Sequence, residues 1–363
     1  MRYALIMAGG SGTRLWPVSR RDRPKQLVPL VRGRSLLDFA VERAATVVGA
    51  QRTAICASAA YLDQIRAAAP QTPDDLLLGE PEGRDTLNAI GLAAAVLARR
   101  DPDAAFCVLT ADHLIEPVDR FCACVERGFA LVEADADRLV TFSVRPTHPA
   151  TGFGYVELGA PIEPGAEPRA FEVIRFVEKP DRATAERYLA SGAFGWNSGM
   201  FVWRADTFLR AMERFAPQSR AGLDEIAGVW DGPARHETLA RVFPTLPKIS
   251  VDYAIMEPAG APGSGFRVCA VEMDLTWRDV GSWPSLAQTI EPDARGNRAS
   301  GATVVAQECD DCLFFSDDPG HTIAAIGLAG LVVVRTKDAT LVMPAAEAER
   351  LKALHADLPE SLR

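Results

Sequence analysis

Residues 7–25, MAGGSGTRLWPVSRRDRPK, constrain this chain more than any other stretch. A short apolar strand, residues 3–7, runs straight into a glycine loop and then into a cluster of cations. Gly9, Gly10 and Gly12 carry no Cβ and tolerate positive φ, so consecutive backbone N–H groups can converge on one anion. Arg14 adds a rigid fork for phosphate oxygens, and Lys25 a mobile point charge that suits a ligand whose charge shifts during reaction. Five cations, Arg14, Arg20, Arg21, Arg23 and Lys25, stand against the single acid Asp22, although the whole chain carries −9. Local charge overrides global charge here, and the segment reads as a cradle for a polyphosphate.

Two better-known glycine motifs do not fit. The dinucleotide fingerprint G-x-G-x-x-G needs a third glycine where Leu15 stands, and the Walker loop needs a Gly-Lys-Ser/Thr that does not follow these glycines. An ordinary glycine turn after a strand is the plain alternative, and the accompanying cations argue against it.

Strands and helices alternate from the start: strand 3–7, helix 35–47, strand 53–57, helix 61–68, helix 87–99 and strand 105–109. The alternation predicts a mostly parallel sheet with helices on both faces. The strand at 105–109 ends at Ala111-Asp112-His113, a polar cluster just past a carboxyl end, where ligands bind in open α/β sheets. From residue 138 the strands shorten, and 139–144, 155–158, 170–178 and 200–204 read as antiparallel additions around a second pocket. A polar stretch at 291–297 marks a domain boundary, giving domains 1–290 and 291–363. Evenly spaced short strands follow at 303–306, 313–316, 322–326, 331–335 and 340–343, fitting a small β-helix-like stack or a compact sheet. A terminal amphipathic helix, 345–356, with Ala348, Leu351 and Leu354 on one side, packs on this cap or on a second subunit.

A length of 363 residues at 48% hydrophobic content allows one large α/β domain with a smaller companion. The longest charge-free apolar runs, 89–98 and 323–334, fall short of the about 20 residues a bilayer span needs. The amino-terminal apolar stretch ends in the glycine loop after a few residues, so no signal peptide, no membrane partner and a cytoplasmic location are expected. Seven cysteines, an odd number, fit a reducing compartment. Cys309-x-x-Cys312 lacks a second pair and a well-spaced histidine, and reads as a turn flanked by buried thiols. An acidic chain without a basic tail is not a nucleic-acid binder.

The string GGSGTRLWP followed by PKQL resembles the signature of the sugar-1-phosphate nucleotidyltransferases, in particular the mannose-1-phosphate guanylyltransferases. VLTADHLI (108–115), TGFGYVE (151–157), FVEKP (176–180), WNSGMFVW (196–203), SVDYAIME (250–257) and WRDVGSW (277–283) fall in the order that family shows. The resemblance implies a Rossmann-like, mostly parallel mixed sheet of the GT-A-like kind with a small C-terminal left-handed β-helix-like domain. It implies transfer of GMP from GTP to mannose 1-phosphate with Mg²⁺ as cofactor; the terminal helix leaves open a homodimer through the C-terminal domain. Gly9, Gly10, Ser11, Gly12 and Thr13 would wrap the nucleotide, together with Arg84, Asp85 and Asp112. Arg14 and Lys25 would hold the triphosphate and act in catalysis, and Asp112 and Asp279 would ligate the metal. Gly152, Gly154, Glu178, Lys179 and Asn197 would bind the sugar phosphate, with Lys179 on its phosphate. Trp196 and Trp203 read as core aromatics or as a sugar-stacking pair.

Two positions depart from the family's pattern. Asp85 stands where the family has an asparagine, which loses an amide donor near the nucleotide. Pro258 stands where it has a lysine, which removes a positive charge near the sugar. Another sugar 1-phosphate or base, or a catalytically silent regulatory homologue, are the alternatives that remain. A glycosyltransferase would show D-x-D after a strand, and Ala111-Asp112-His113 is not one. The related bifunctional enzymes carry a cupin-like isomerase domain beyond this length, so no phosphomannose isomerase activity is expected.

Overall fold

The computed structural model describes residues 1–10 and 12–363; Ser11, expected in the nucleotide loop, lies outside the described residues. The chain forms two compact units, each discontinuous in sequence. The first comprises Met1–Gly9, Ala40–Ala111 and Ile115–Trp277, and the second Gly10–Phe39, Asp112–Leu114 and Arg278–Arg363.

The first unit is built on a nine-stranded sheet. Its strands in chain order are β1 (Arg2–Met7), β2 (Thr53–Ser58), β3 (Leu77–Glu80), β4 (Ala105–Thr110), β5 (Arg138–Val144), β6 (Gly154–Ile162), β7 (Ala170–Val177), β8 (Phe194–Arg204) and β9 (Arg267–Met273). In space they run β3-β2-β1-β4-β8-β5-β9-β7-β6, and β8 also pairs with β6. The pairs among β1, β2, β3 and β4 are parallel. Ala4, Leu5 and Ile6 of β1 are fully buried, the continuous apolar run of a strand covered on both faces. Beyond β4 the direction reverses: β8 runs antiparallel to both β4 and β5, and β6 and β7 are antiparallel additions, as expected. These strands are longer than β1–β4, with 9, 8 and 11 residues in β6, β7 and β8, where shorter ones were expected. The β5–β9 pair is parallel.

The helix Asp85–Arg100 is buried from Leu87 to Leu97, so it is apolar on every side and sits inside the unit. It packs against helices Ala205–Phe215 and Pro217–Gly228. Gly91 permits that contact, because a Cβ there would lie 2.6 Å from Leu223 Cδ1 and 2.8 Å from Met212 Sδ. Trp203 belongs to this core, stacked on Phe201 and Phe208 with ring centroids 4.9 and 4.6 Å away.

Toward its C-terminal end the second unit carries the short strands β10 (Arg298–Ser300), β11 (Thr303–Gln307), β12 (Leu313–Ser316), β13 (Thr322–Ile326), β14 (Leu331–Arg335) and β15 (Thr340–Pro344). They form two sheets, β10-β12-β14-β15 and β11-β13. Thr303 lies opposite Thr322 and Leu313 opposite Val332 in parallel register, so successive coils stack as in a β-helix. Alternate residues Val332, Val334, Leu341 and Met343 point inward. They share one core with Leu15, Trp16, Val18, Val28, Trp283 and Leu351, so the segment that follows the glycines is packed on the coil. Two indoles pin it: Trp283 Nε1 donates to Trp16 O at 2.8 Å, and Trp16 Nε1 donates to Leu362 O at 2.7 Å.

The terminal helix differs from expectation. Residues Ala345–Arg350 form a 3₁₀ turn after Pro344, and only Leu351–Ala356 is α-helical. The tighter 3₁₀ turn changes the facing of side chains, so Ala348 and Leu351 are buried while Leu354 is 46% exposed. Cys309 and Cys312 are buried thiols that donate to the carbonyls of Gln307 and Asp310, flanking a turn in which Glu308 and Asp311 have positive φ. No helix among the described residues is long and apolar enough to cross a membrane.

Candidate active site

The second unit gathers Arg14, Lys25, Asp112, His113 and Asp279. Asp112 lies just past the carboxyl end of strand β4, and Asp279 ends the short strand Thr276–Asp279. The backbone N–H of Val280 donates to Asp112 O at 3.0 Å, which ties the two aspartates' segments together. Lys25 is only 7% exposed, and its Nζ donates to Asp112 Oδ2 at 2.7 Å. His113 Nε2 lies 3.7 Å from Asp112 Oδ1. One ligand atom from each of Asp112, His113 and Asp279 falls within 4.8 Å of the others.

Two glycines shape this cluster. Gly12 has φ +62°, and a Cβ on it would meet Lys25 Cβ at 2.9 Å and collide with Ser19 Oγ. A Cβ on Gly281 would lie 3.2 Å from Asp279 Oδ1 and 3.3 Å from Arg14 Nη2, so the absence of a side chain admits both groups. Gly10 also takes positive φ, at +106°, and Thr13–Leu15 closes the loop as a 3₁₀ turn.

The two carboxyls of the cluster are pushed apart. Burial alone would raise Asp112, but the charges of Lys25 and His113 and the Lys25 hydrogen bond outweigh it and hold the carboxyl down at about 2. Asp279 is raised, first by burial and then by the negative charge of Asp112. Two half-buried carboxylates that repel one another in this way offer hard oxygen donors to a small divalent cation, and the neighbouring imidazole adds a nitrogen donor.

The remaining cations of the loop have other partners. Arg20 binds Asp338 at 2.8 Å, Arg23 binds Asp317 at 3.2 Å and Arg21 lies 3.6 Å from Glu360. Arg14 itself donates to Glu349 at 2.9 Å, with its side chain still 41% exposed. The positive excess read from the loop is thus largely balanced by acids from the coil and the chain's last residues, and Lys25 and Arg14 are the two cations set against the aspartate pair.

The first unit holds two further groups. At the end of β1, the Cβ position of Gly9 lies 4.0 Å from Glu80 Oε2. Glu80 is buried, and burial, with a smaller contribution from the charge of Asp85, pushes its carboxyl up to about 7. Asp85 sits at φ +63°, a conformation that aspartate tolerates better than most residues, and accepts from Thr86 N at 2.8 Å as it opens its helix. Arg84 donates to Pro244 O and pairs with Glu82 at 3.2 Å.

The second group lies on β6, β7 and β8. Gly154 stands opposite Asn197 in register, and a Cβ on it would come within 2.5 Å of Glu178 Oε2 and 3.3 Å of Asn197 Cβ. Glu178 pairs with Lys179 at 2.8 Å, its backbone N–H donates to Glu257 Oε1 at 3.2 Å, and Lys179 adopts φ +45° with its side chain 56% exposed. Asn197 accepts from Thr141 Oγ1 at 2.7 Å and donates to Asp252 Oδ1 at 2.9 Å. Asp252 is raised to about 7, by burial first and then by the charge of Glu178. Gly152 has no atom within 4 Å of its Cβ position and leaves open space there. Trp196 packs edge-on to Phe153, His148 and the tilted Trp277, an aromatic cluster distinct from that of Trp203.

Sequence reasoning named His113 only as part of the polar cluster after a strand, and did not single out Glu80, Asp252 or Glu257. His113, Asp252 and Glu257 lie inside motif strings already noted, and the signal available was their chemistry: acids and an imidazole in segments that end strands or start helices. Glu80 had only its place beside Pro81 at the end of a strand.

A family model described as nucleotidyl transferase matches residues 3–295, the class that the sheet, the glycine loop and the carboxylate pair define. A second, described as a MannoseP isomerase/GMP-like beta-helix domain, matches residues 302–358. Xanthan biosynthesis protein XanB of Xanthomonas campestris pv. campestris (strain B100) is 39% identical over 93% of this chain and 69% of its own length. The mannose-1-phosphate guanylyltransferase of Klebsiella pneumoniae is 37% identical over 94% of this chain and 71% of its own. A crystal structure described as mannose-1-phosphate geranyltransferase from Thermus thermophilus superposes with a TM-score of 0.85 at 33% identity, covering 98% of each chain. The chain belongs to the nucleotidyl transferase family, on the branch of the mannose-1-phosphate guanylyltransferases. Nucleotidyltransferases of this family generally use a divalent metal, and Asp112, His113 and Asp279 fit one.

Proposed function

We propose that this protein transfers GMP from GTP to α-D-mannose 1-phosphate, giving GDP-mannose and pyrophosphate. The observation that carries the reading is the meeting of Lys25, Asp112 and Asp279 behind a glycine turn. An oxygen of the sugar phosphate attacks the α-phosphorus in line as pyrophosphate leaves. That oxygen is already anionic at neutral pH, so no base is needed, and the protein's task is to hold mutually repelling anions together.

Gly9, Gly10, Ser11, Gly12 and Thr13 would wrap the nucleotide, and Arg14 would grip the triphosphate. Lys25, compact and buried, follows the charge that develops on the α-phosphate and on the leaving group. Asp112 and Asp279 would hold Mg²⁺, which supplies charge neutralisation at the phosphates when bound. Lys179 would take the phosphate of the sugar, with Glu178, Asn197 and the open backbone at Gly152 and Gly154 around the hydroxyls. Arg84 and Asp85 would stand by the nucleoside.

Asp85 and Pro258 favour a second reading in which base or sugar differs. Product analysis for GTP, ATP, UTP and dTTP, each with mannose 1-phosphate and with glucose 1-phosphate, separates the two. GDP-mannose as the dominant product supports the proposal, and equal turnover of UTP with glucose 1-phosphate rules it out.

A further inference from the structure

We infer that Asp252 is a sugar-hydroxyl acceptor that sets selectivity in the transfer, and that Asn197 is the positioning residue that aims it. The inference rests on the functional reading above and goes beyond it in the division of labour.

Asn197 already commits its oxygen and one of its two amide N–H groups to the protein, leaving one N–H for the sugar. Its Oδ1 accepts from Thr141 Oγ1 at 2.7 Å and from Gly199 N at 3.3 Å, while its Nδ2 donates to Asp252 Oδ1 at 2.9 Å. Thr141 is fully buried, and its single O–H, directed at Asn197 Oδ1, also has Met200 O within 3.2 Å, so the amide is backed by a strand with little freedom. A side chain held on both ends fixes its neighbour, and the neighbour here is a carboxylate.

A second carboxylate, Glu178, belongs to the same group: its side chain is 7% exposed, its Oε2 lies against the Cβ position of Gly154, and Gly154 stands opposite the Asn197 that binds Asp252. Two partly buried carboxylates, with one lysine paired to Glu178 and one amide N–H to Asp252, present more acceptors than the donors seen against them. Water or a bound proton relieves such an excess in the free protein, and a ligand that brings O–H groups of its own replaces them. A polyol does so, and a divalent cation fits less well, because the metal-type grouping among the described residues is the one at Asp112, His113 and Asp279. The geometry therefore assigns hydroxyl recognition to Asp252 and Glu178 together, with the phosphate left to Lys179.

The test compares wild type with Asp252→Asn on mannose 1-phosphate and on its 2-, 3-, 4- and 6-deoxy analogues, with GTP. Asp252→Asn is expected to raise KM for mannose 1-phosphate about tenfold or more, the loss that goes with one charge-assisted hydrogen bond, with KM for GTP within about twofold of wild type. One deoxy analogue that is poor for wild type should be no worse than mannose 1-phosphate for the variant. Asn197→Ser should move KM for the sugar phosphate in the same direction while keeping kcat nearer wild type. Unchanged KM for the sugar phosphate, or the same penalty for every analogue in wild type and variant, overturns the inference and leaves the functional reading standing. Should Asp252→Asn fail to fold, Asp252→Ser is measured in the same way. A wild type that makes no nucleotide sugar from any of the series overturns both.

Discussion

The ammonium of Lys25 donates to Asp112 Oδ2 at 2.7 Å across 87 residues of chain, and both groups stand beside Asp279. A lysine this deeply buried is not a general electrostatic lure. It is fixed to one carboxylate; on the reading proposed here Asp112 would hold a metal, and Lys25 would then be available to a phosphate.

Lys25→Ala should therefore lower turnover far more than it weakens GTP binding. A fall in kcat of about 100-fold, with the GTP dissociation constant changed by less than about tenfold, is expected for a charge whose contribution grows in the transition state. Steady-state rates set beside equilibrium nucleotide binding decide it, and unchanged turnover removes Lys25 from the mechanism.

Treatment with a chelator should abolish pyrophosphate release, and added Mg²⁺ should restore it. Asp279→Asn should raise the Mg²⁺ concentration for half-maximal rate while KM for mannose 1-phosphate stays near wild type. Full activity after rigorous metal removal would contradict the role given to the aspartate pair.

Gly281→Ala places a methyl 3.2 Å from Asp279 Oδ1 and 3.3 Å from Arg14 Nη2. One of the two must move, and a loss of roughly tenfold in kcat/KM for GTP is expected from such a displacement. A thermal melt close to wild type would show that the loss is local. Wild-type kinetics would mean that neither group is held where the reaction needs it.

Glu80 gives a pH signature in stability. Its carboxyl is raised in the folded chain to about 7, above the unfolded value near 4.5, because burial disfavours the charge. Below the unfolded value the group is protonated in both states, and its favourable contribution is lost as pH rises through about 7. Glu80→Gln should thus gain on wild type between pH 5 and pH 8, by up to about 3 kcal/mol at the upper end. Melting curves of both proteins at the two pH values check it; an equal difference at both, or a variant that is less stable at pH 8, goes against the burial argument.

Much of this was legible in local sequence. Gly9, Gly10 and Gly12 follow an apolar strand, and Asp112 follows another, so the loop and the polar cluster at Asp112 could be placed from strand ends alone. Asp279 and Lys25 were found because each sits in a short motif. The partners of Arg20, Arg21 and Arg23 were not legible, since Asp338, Glu360 and Asp317 lie about 300 residues away in a segment whose acids look like any solvated surface. Nothing local marks a long-range ion pair. Asp252 sat in a motif string, but only its hydrogen bond from Asn197 separates it from the other acid there. The 3₁₀ turn at Ala345–Arg350 differs from an α-helix by one step in hydrogen-bond register, which side-chain spacing over so few residues does not resolve.

The central claim is that the amino-terminal turn grips a triphosphate with its α-phosphorus beside Lys25, and a crystal structure with GTP and Mg²⁺ tests it most directly. The expected result is phosphates against residues 9–14, Lys25 at the α-phosphate, and the metal bound by Asp112 and Asp279. Nucleotide bound elsewhere, with Lys25 still paired to Asp112 and no phosphate at the turn, would contradict it.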